Sequence, residues 1–265
     1  MSIRPFFVFI FLIAGIYLSA QNTNGFIVGV NGGANYVLVV NQMNYGQKEM
    51  DYNKVTIKPS YGLQVGYDFN GADIVTLGAG IQKAGQYYKD SYGSGAELEK
   101  NIDLQYLAIP LSYMHVFGGK NNPSSGTKFY VVLGPQFNIL QDAKVEHKIN
   151  GKEASLLAFA IYDTDGTFTN ANASKLQSLV NADGNVANDK DLFQGSDIQG
   201  FLGLGVRHYF SDNFSLNADL RFGYSLTDIN ADKWQLDGFA DGKVQTYGPS
   251  KNAYGAIKIG LNYKF

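Results

Sequence analysis

The stretch Gly255-Ala-Ile-Lys-Ile-Gly-Leu-Asn-Tyr-Lys-Phe265 carries the fold reading. Ile257, Ile259, Leu261, Tyr263 and Phe265 fall on one parity, and Lys258, Gly260, Asn262 and Lys264 on the other. Side chains of a strand point alternately to its two faces, so this strand has one apolar and one polar face. A soluble sandwich would press the apolar face on a second sheet. A membrane barrel would turn it to lipid and the polar face to its lumen.

The same alternation recurs in eight segments: Gly25–Val39, Pro59–Phe69, Ile74–Tyr88, Leu104–Phe117, Lys128–Lys144, Asp197–Phe210, Asn213–Ile229 and Ala253–Phe265. In the seventh, Phe214, Leu216, Ala218, Leu220, Phe222, Tyr224 and Leu226 alternate with small, polar and charged residues. Soluble strands average about 5–6 residues, so a run of this length fits a lipid-facing wall better. Connectors after the second and sixth segments, Asn70–Asp73 and Ser211–Asn213, have the composition of tight turns. Gly118–Thr127 is longer and rich in Gly, Asn, Pro and Ser. Those after the odd segments are long: Val40–Lys58, Lys89–Asp103, Val145–Ser196 and Asn230–Asn252. The expected fold is therefore all-β: an eight-stranded antiparallel up-and-down transmembrane barrel with short periplasmic turns and long extracellular loops.

Arg4, the apolar run Phe6–Leu18 and Leu18-Ser19-Ala20 before Gln21 form a secretory signal peptide, giving a cleaved segment 1–20 and a barrel domain 21–265 with a long loop insertion at about 145–196. The apolar run is short of the ~20 residues a spanning helix needs. Mean hydropathy is −0.14, far from that of a helical membrane protein. There is no Cys, so disulfide staples, thiolate metal sites and lipidation at cysteine are excluded. A formal net charge of −2 gives no footprint for nucleic acid. The 18 Tyr and 18 Phe suit interfacial girdles.

The run Leu104-Gln-Tyr-Leu-Ala-Ile-Pro-Leu-Ser-Tyr113 resembles the "YLxIPL" strand of the PorT-like outer-membrane β-barrel family of Bacteroidota. Tyr130-Val-Val-Leu-Gly-Pro135, Asp197-Ile-Gln-Gly-Phe-Leu-Gly-Leu-Gly205 and the final strand add to the likeness. The chain's ending on an aromatic is similar to the C-terminal assembly signal of outer-membrane barrels, carried here by Leu261, Tyr263 and Phe265. The resemblance implies an outer-membrane location in a Gram-negative bacterium and recognition by the barrel assembly machinery. The connector 145–196 is longer than the family leads one to expect.

Eight strands enclose a space that side chains fill, whereas porins need ~16. Inward parity falls on Asn31, Asn35, Gln64, Asp68, Gln82, Tyr106, Gln136, Asn138, Gln199, Arg207, Asn217, Asp219 and Arg221. A three-residue turn at Ser211–Asn213 would pair Phe210 with Phe214. Arg207 then faces Asn217, Gly205 faces Asp219 and Gly203 faces Arg221. Asp219 is thus expected within reach of both guanidiniums, forming a structural lumen network.

Catalytic and metal chemistry find little support. His115 and His208 fall on the outward parity near periplasmic strand ends, and His147 stands in a charged run at the base of the third loop. No spacing places a base beside a nucleophile. No catalytic residue, cofactor or metal ligand is assigned. Asp163-Thr-Asp-Gly166 and Asn181-Ala-Asp-Gly184 lack the full oxygen-ligand pattern of a Ca²⁺ loop and read as Asp-Gly turns.

The third loop holds an apolar run, Ala154–Tyr162, and a short helical pattern from Ser174 to Val180. Leu156, Leu157, Phe159, Ile161 and Tyr162 are the candidate partner-contact residues. A helix is expected here, with at least two of these side chains buried against the third or fourth loop, leaving an apolar face for another outer-membrane protein. The functional expectation is a non-enzymatic structural or accessory component of an outer-membrane secretion or envelope-biogenesis assembly. The alternative is an extracellular ligand binder or adhesin using Trp234, Phe239 and Tyr247 of the fourth loop; an envelope enzyme is a third.

Overall fold

Alternation builds eight long strands in a computed structural model that describes residues 24–41, 54–91, 96–120, 126–163, 176–235, 238–240, 243–245 and 247–265. They are β1 (Gly25–Asn41), β2 (Thr56–Asp68), β3 (Asp73–Ser91), β4 (Glu97–Val116), β5 (Gly126–Ile149), β6 (Ser196–Tyr209), β7 (Phe214–Ser225) and β8 (Ser250–Lys264). Each pairs antiparallel with its chain neighbours, and β8 pairs with β1 from Ile27↔Lys264 to Asn41↔Ser250. The sheet closes on itself through the β8–β1 pairing, with no edge left in the ring of paired strands. Both the fold class and the strand number are those expected from the sequence. The signal segment 1–20 lies outside the described residues.

The outer surface explains what the alternation is for. Leu220 and Phe222 on β7 are 56% and 65% exposed, and Phe129 on β5 is 72% exposed. Burying each such side chain is worth about 1.5–3 kcal/mol, so a wall made of them needs an apolar medium. Among the described residues no helix is long and apolar enough to cross a membrane. The strands do the crossing.

Higher up, the apolar parity changes face. On β4, Leu107, Ile109, Leu111 and Tyr113 point outward, whereas Leu98, Ile102 and Leu104 point inward and are buried. The outward positions above Leu107 become Gln105, Asp103, Asn101, Glu99 and Glu97. Below this level the outside is lipid, and the inside mixes polar side chains with a buried apolar cluster that includes Ile27, Ile74, Met114 and Val116. Above it the outside is water and the inside an apolar core. β5 makes the same change at a bulge: Gln105 pairs with Asp142 and Tyr106 with Leu140, leaving Gln141 as an extra residue. Phe137 and Ile139 therefore face out while Ala143, Val145 and His147 face in, although all are odd-numbered.

The expected loop Lys89–Asp103 is consequently mostly strand, with only five residues between Ser91 and Glu97. The sequence pattern hid this because charged residues took over the outward parity. A 24-residue β5 spans roughly 80 Å at ~3.4 Å per residue, well beyond the ~25 Å apolar band of a barrel even when tilted. β3, β4 and β5 thus rise outside the membrane as a three-stranded wall. The third connector begins at Asn150 rather than Val145, and Lys152–Glu153 folds back to pair with Lys148 and Ile149. It then forms helix α1 (Leu156–Asp163) against β5. A second short helix covers 176–179, and its proposed cap Ser174 lies outside the described residues.

Candidate functional site

The interior is layered, and its lower layer is ionic. The β6–β7 register is Gly203↔Arg221, Gly205↔Asp219 and Arg207↔Asn217, as the three-residue turn requires. Arg221 Nε lies 3.2 Å from Asp219 Oδ1, and Arg221 Nη2 donates to Oδ2 at 3.3 Å. The Tyr130 hydroxyl donates to the same Oδ2 at 2.8 Å. Gly205 makes room: a Cβ there would lie 2.6 Å from Tyr130 Cζ and 2.7 Å from Asp219 Cβ. The Arg221 guanidinium also rests over the Phe201 ring at 4.8 Å.

Arg207 does not share this carboxylate in the hydrogen-bonded pattern. Its Nε donates to Ser215 Oγ at 3.0 Å, and its guanidinium stacks over Tyr209 at 5.2 Å. Asp219 is therefore held between a guanidinium and a phenol instead of two guanidiniums. The reason is directional, because the Arg207 stem turns toward the periplasmic end, where Ser215 and Tyr209 wait. Lower still, Lys264 Nζ lies 3.6 Å from Asp68 Oδ2, while Asp68 Oδ1 accepts from the amides of Asn70 and Gly71 in the turn below.

A neutral layer sits above the ionic one and surrounds a carboxylate outside the expected lumen set. Asp197 Oδ2 accepts from Gln199 Nε2 at 2.7 Å and Ser225 Oγ at 2.8 Å, and Oδ1 accepts from Thr227 Oγ1 at 2.9 Å. Neutral donors satisfy this buried group, whose desolvation would otherwise be costly. Beside it, Gln136 Nε2 donates to Gln82 Oε1 at 3.0 Å and Asn138 Oδ1 at 2.8 Å. In the sequence Asp197 opens a strand motif and carries no other mark. Its parity, shared with Gln199 and Arg207, was the available signal.

The mouth is sealed by an apolar core. Tyr88, Leu104, Tyr106 and Leu140 of the barrel meet Leu192, Phe193 and Ile229 from the third and fourth loops, with Leu156, Val186 and Trp234 packed against them. Phe193 bridges Asn230, so the two loops are also joined through their backbones. On α1, Phe159 is buried with its ring 4.7 Å from that of His147, whereas Leu156 and Leu157 are half-buried. The side chains of Ile161 and Tyr162 lie outside the described residues. The expected helix is present and lies down on the wall.

His147 belongs to the part of β5 above the bulge, outside the membrane. Burial first, then the charge of Lys100, pushes its pKa down from 6.5 to about 3. Its Nε2 finds no hydrogen-bond partner. His115 Nδ1 and the Tyr113 hydroxyl both meet Asp73 Oδ1 at 2.7 Å, and His208 Nδ1 lies 2.8 Å from Thr127 Oγ1. Both outward histidines thus stand at the periplasmic rim.

The fourth-loop aromatics turn inward. Trp234 joins the apolar core, and the Tyr247 hydroxyl donates to Asp228 Oδ2 at 2.8 Å, which together with burial pushes its pKa up to about 12. The Phe239 side chain lies outside the described residues. Asn181 Oδ1 accepts from the amides of Asp183 and Asn185, closing a turn in which Gly184 has φ +74°. Of the other Asp-Gly turn, residues 164–166 lie outside the described residues. Among the described residues no three His, Asp or Glu side chains converge as metal ligands would. At the C-terminus Leu261 faces outward, and Tyr263 packs edge-on against Phe214 and Phe265 at 4.9 Å. The Phe265 amide donates to Phe26 O at 2.9 Å, fastening the chain end to β1.

Comparison with solved structures finds several outer-membrane proteins at low identity. Neisserial surface protein A (NspA) is 12% identical, with 93% of this chain and 100% of that chain covered and a TM-score of 0.40. OprG from Pseudomonas aeruginosa is 12% identical, covering 91% and 96%, with a TM-score of 0.40. Outer Membrane Protein W of E. coli is 14% identical, covering 91% and 98%, with a TM-score of 0.36. None of the curated proteins matches the sequence. A family model described as outer membrane protein beta-barrel domain matches residues 19–230. With that match over most of a closed barrel walled in apolar side chains, the chain belongs to the outer membrane protein β-barrel domain family and is a protein of the outer membrane.

Proposed function

We propose that the protein is a non-enzymatic barrel of the PorT-like kind, serving as a structural or accessory component of an outer-membrane secretion or envelope-biogenesis assembly. One observation carries this reading: side chains fill the lumen, with bonded polar groups in its layers, and an apolar core closes its mouth. A barrel built this way offers surfaces, not a passage. Among the described residues the wall of β3, β4 and β5 offers a surface outside the membrane, with α1 packed on β5 and charged side chains on the outward face. Leu261, Tyr263 and Phe265 would present the C-terminal strand to the assembly machinery during biogenesis. The ligand-binder reading is weakened by Trp234 and Tyr247, which are engaged inside the fourth loop.

Affinity purification from native membranes in mild detergent tests the proposal. Another outer-membrane protein should co-purify with the full chain. Deleting Glu153–Asn188 should abolish that association while leaving heat-modifiable migration intact, because no barrel strand uses those residues. Recovery of the barrel alone, under conditions that preserve known envelope complexes, would overturn the assembly reading. Retention of the partner after the deletion would overturn the assignment of the interface to the third loop.

A further inference from the structure

Among the described residues the β2–β3 pairing stops short of the tops of its strands. The β2–β3 ladder runs from Asp68↔Ile74 up to Ser60↔Gln82 and stops there, although β2 continues to Thr56 and β3 to Ser91. Pro59, the next residue, has no amide hydrogen to give a neighbour. Above this point individual side chains replace the ladder: the Tyr87 amide donates to Thr56 Oγ1 at 3.1 Å, and the Val39 amide to Gln86 Oε1 at 2.7 Å.

Cations converge on the gap. Lys58 stands on the inward parity of β2, yet its Nζ lies 3.2 Å from Oδ2 of Asp103, on the outward parity of β4. It reaches past β3 near Gly85, which has φ +113° and where an added Cβ would come within 2.0 Å of Ile102 O. Lys83 Nζ lies 4.0 Å from the same carboxylate oxygen. Lys54 sits over the Tyr87 ring at 4.6 Å. Among the described residues Lys58 and Lys83 therefore share one carboxylate, and Lys54 beside them rests on a ring, an excess of positive charge at the seam. The neighbouring rim cations differ: Lys89 is met by Glu97 and Glu99, Lys144 by Glu146, and Lys251 by the Leu226 carbonyl.

The place of this excess names its counterpart. Directly below it on the outer face, Tyr61 and Leu63 are 60% and 64% exposed and belong to the lipid-facing band. A cavity of about 30 Å³ at the foot of the seam is lined by Tyr61 and Ile81 from outside and by Ser60, Gln82 and Lys258 from inside. We propose that the open β2–β3 seam binds the phosphate-bearing headgroup of an anionic lipid of the outer leaflet, with its acyl chains along the apolar wall beneath. Lysine serves a phosphate as a mobile point charge, without the fixed geometry of arginine. A basic pocket at headgroup depth is a setting in which anionic lipids are held.

Native mass spectrometry of the refolded full-length barrel tests this with phosphatidylglycerol and phosphatidylcholine of identical acyl chains, and with inorganic phosphate as competitor. The wild-type chain should retain phosphatidylglycerol at least about tenfold over phosphatidylcholine. Lys58→Gln combined with Lys83→Gln should remove that preference, whereas Lys89→Gln should keep it. Should the double variant fail to show heat-modifiable folding, Lys54→Gln on the exposed rim decides, with an expected loss of about threefold. Equal retention of the two lipids by the wild type, or an unchanged preference in the folded variants, would overturn the proposal. Displacement of the lipid by millimolar inorganic phosphate would replace it with a soluble-anion site.

Discussion

Asp219 and His147 show how one position can be decisive in a barrel this narrow. Asp219 is buried against Arg221 and Tyr130, so Asp219→Leu leaves a guanidinium unpaired in a confined space. We expect it to cost about 3–5 kcal/mol in urea unfolding from lipid vesicles, and Asp219→Leu with Arg221→Met to recover most of that. A single-variant cost below about 1 kcal/mol would mean that water reaches the pair. His147 sets a pH dependence outside the membrane. Its folded pKa is depressed to about 3 from 6.5, so the unfolded form binds the extra proton. Its contribution is whole above pH 6.5 and is lost as pH falls toward 3. Protease nicking of the third loop should therefore rise over that window, and His147→Leu should flatten the response. Identical pH profiles for the two chains would refute the assignment.

At the scale of elements, the bulge at Gln141 keeps the third loop on its wall. Deleting Gln141 together with Asp142 would join Leu140 to Ala143 in strict alternation and turn Ala143, Val145 and His147 to the outside. The deletion should still give a heat-modifiable barrel, but with α1 undocked and the third loop open to protease. Unchanged protection would show that α1 is held by something other than this face. The same bulge explains what the sequence made legible. The β6–β7 register could be read because both strands keep one face to lipid along their paired length, so parity and turn length suffice. The tops of β3 and β4 could not, because crossing from lipid to water exchanges the apolar face, and an apolar parity followed in one phase ends at Gln105. On β5 the bulge cancels the exchange in the numbering, so the fifth segment read as continuous. In the interior, Asp219 and Arg221 could be paired by register, but the participation of Tyr130 needed the β5–β6 pairing of Tyr130 with Gly205.

For the whole molecule, the parts add up to a closed barrel: ion pairs beside an apolar cluster at the base, amide bonds in the middle and an apolar core at the mouth. Lipid holds the outside, and the wall of β3, β4 and β5 stands in the medium above. A barrel filled and capped in this way is expected to present surfaces and to conduct nothing. Conductance of the purified, heat-modifiable protein in planar lipid bilayers tests it most directly. No stepwise current is expected from the full chain, and none after deletion of Glu153–Asn188, because the side chains below the loop still fill the lumen. Persistent ohmic steps from the full-length folded barrel would contradict it.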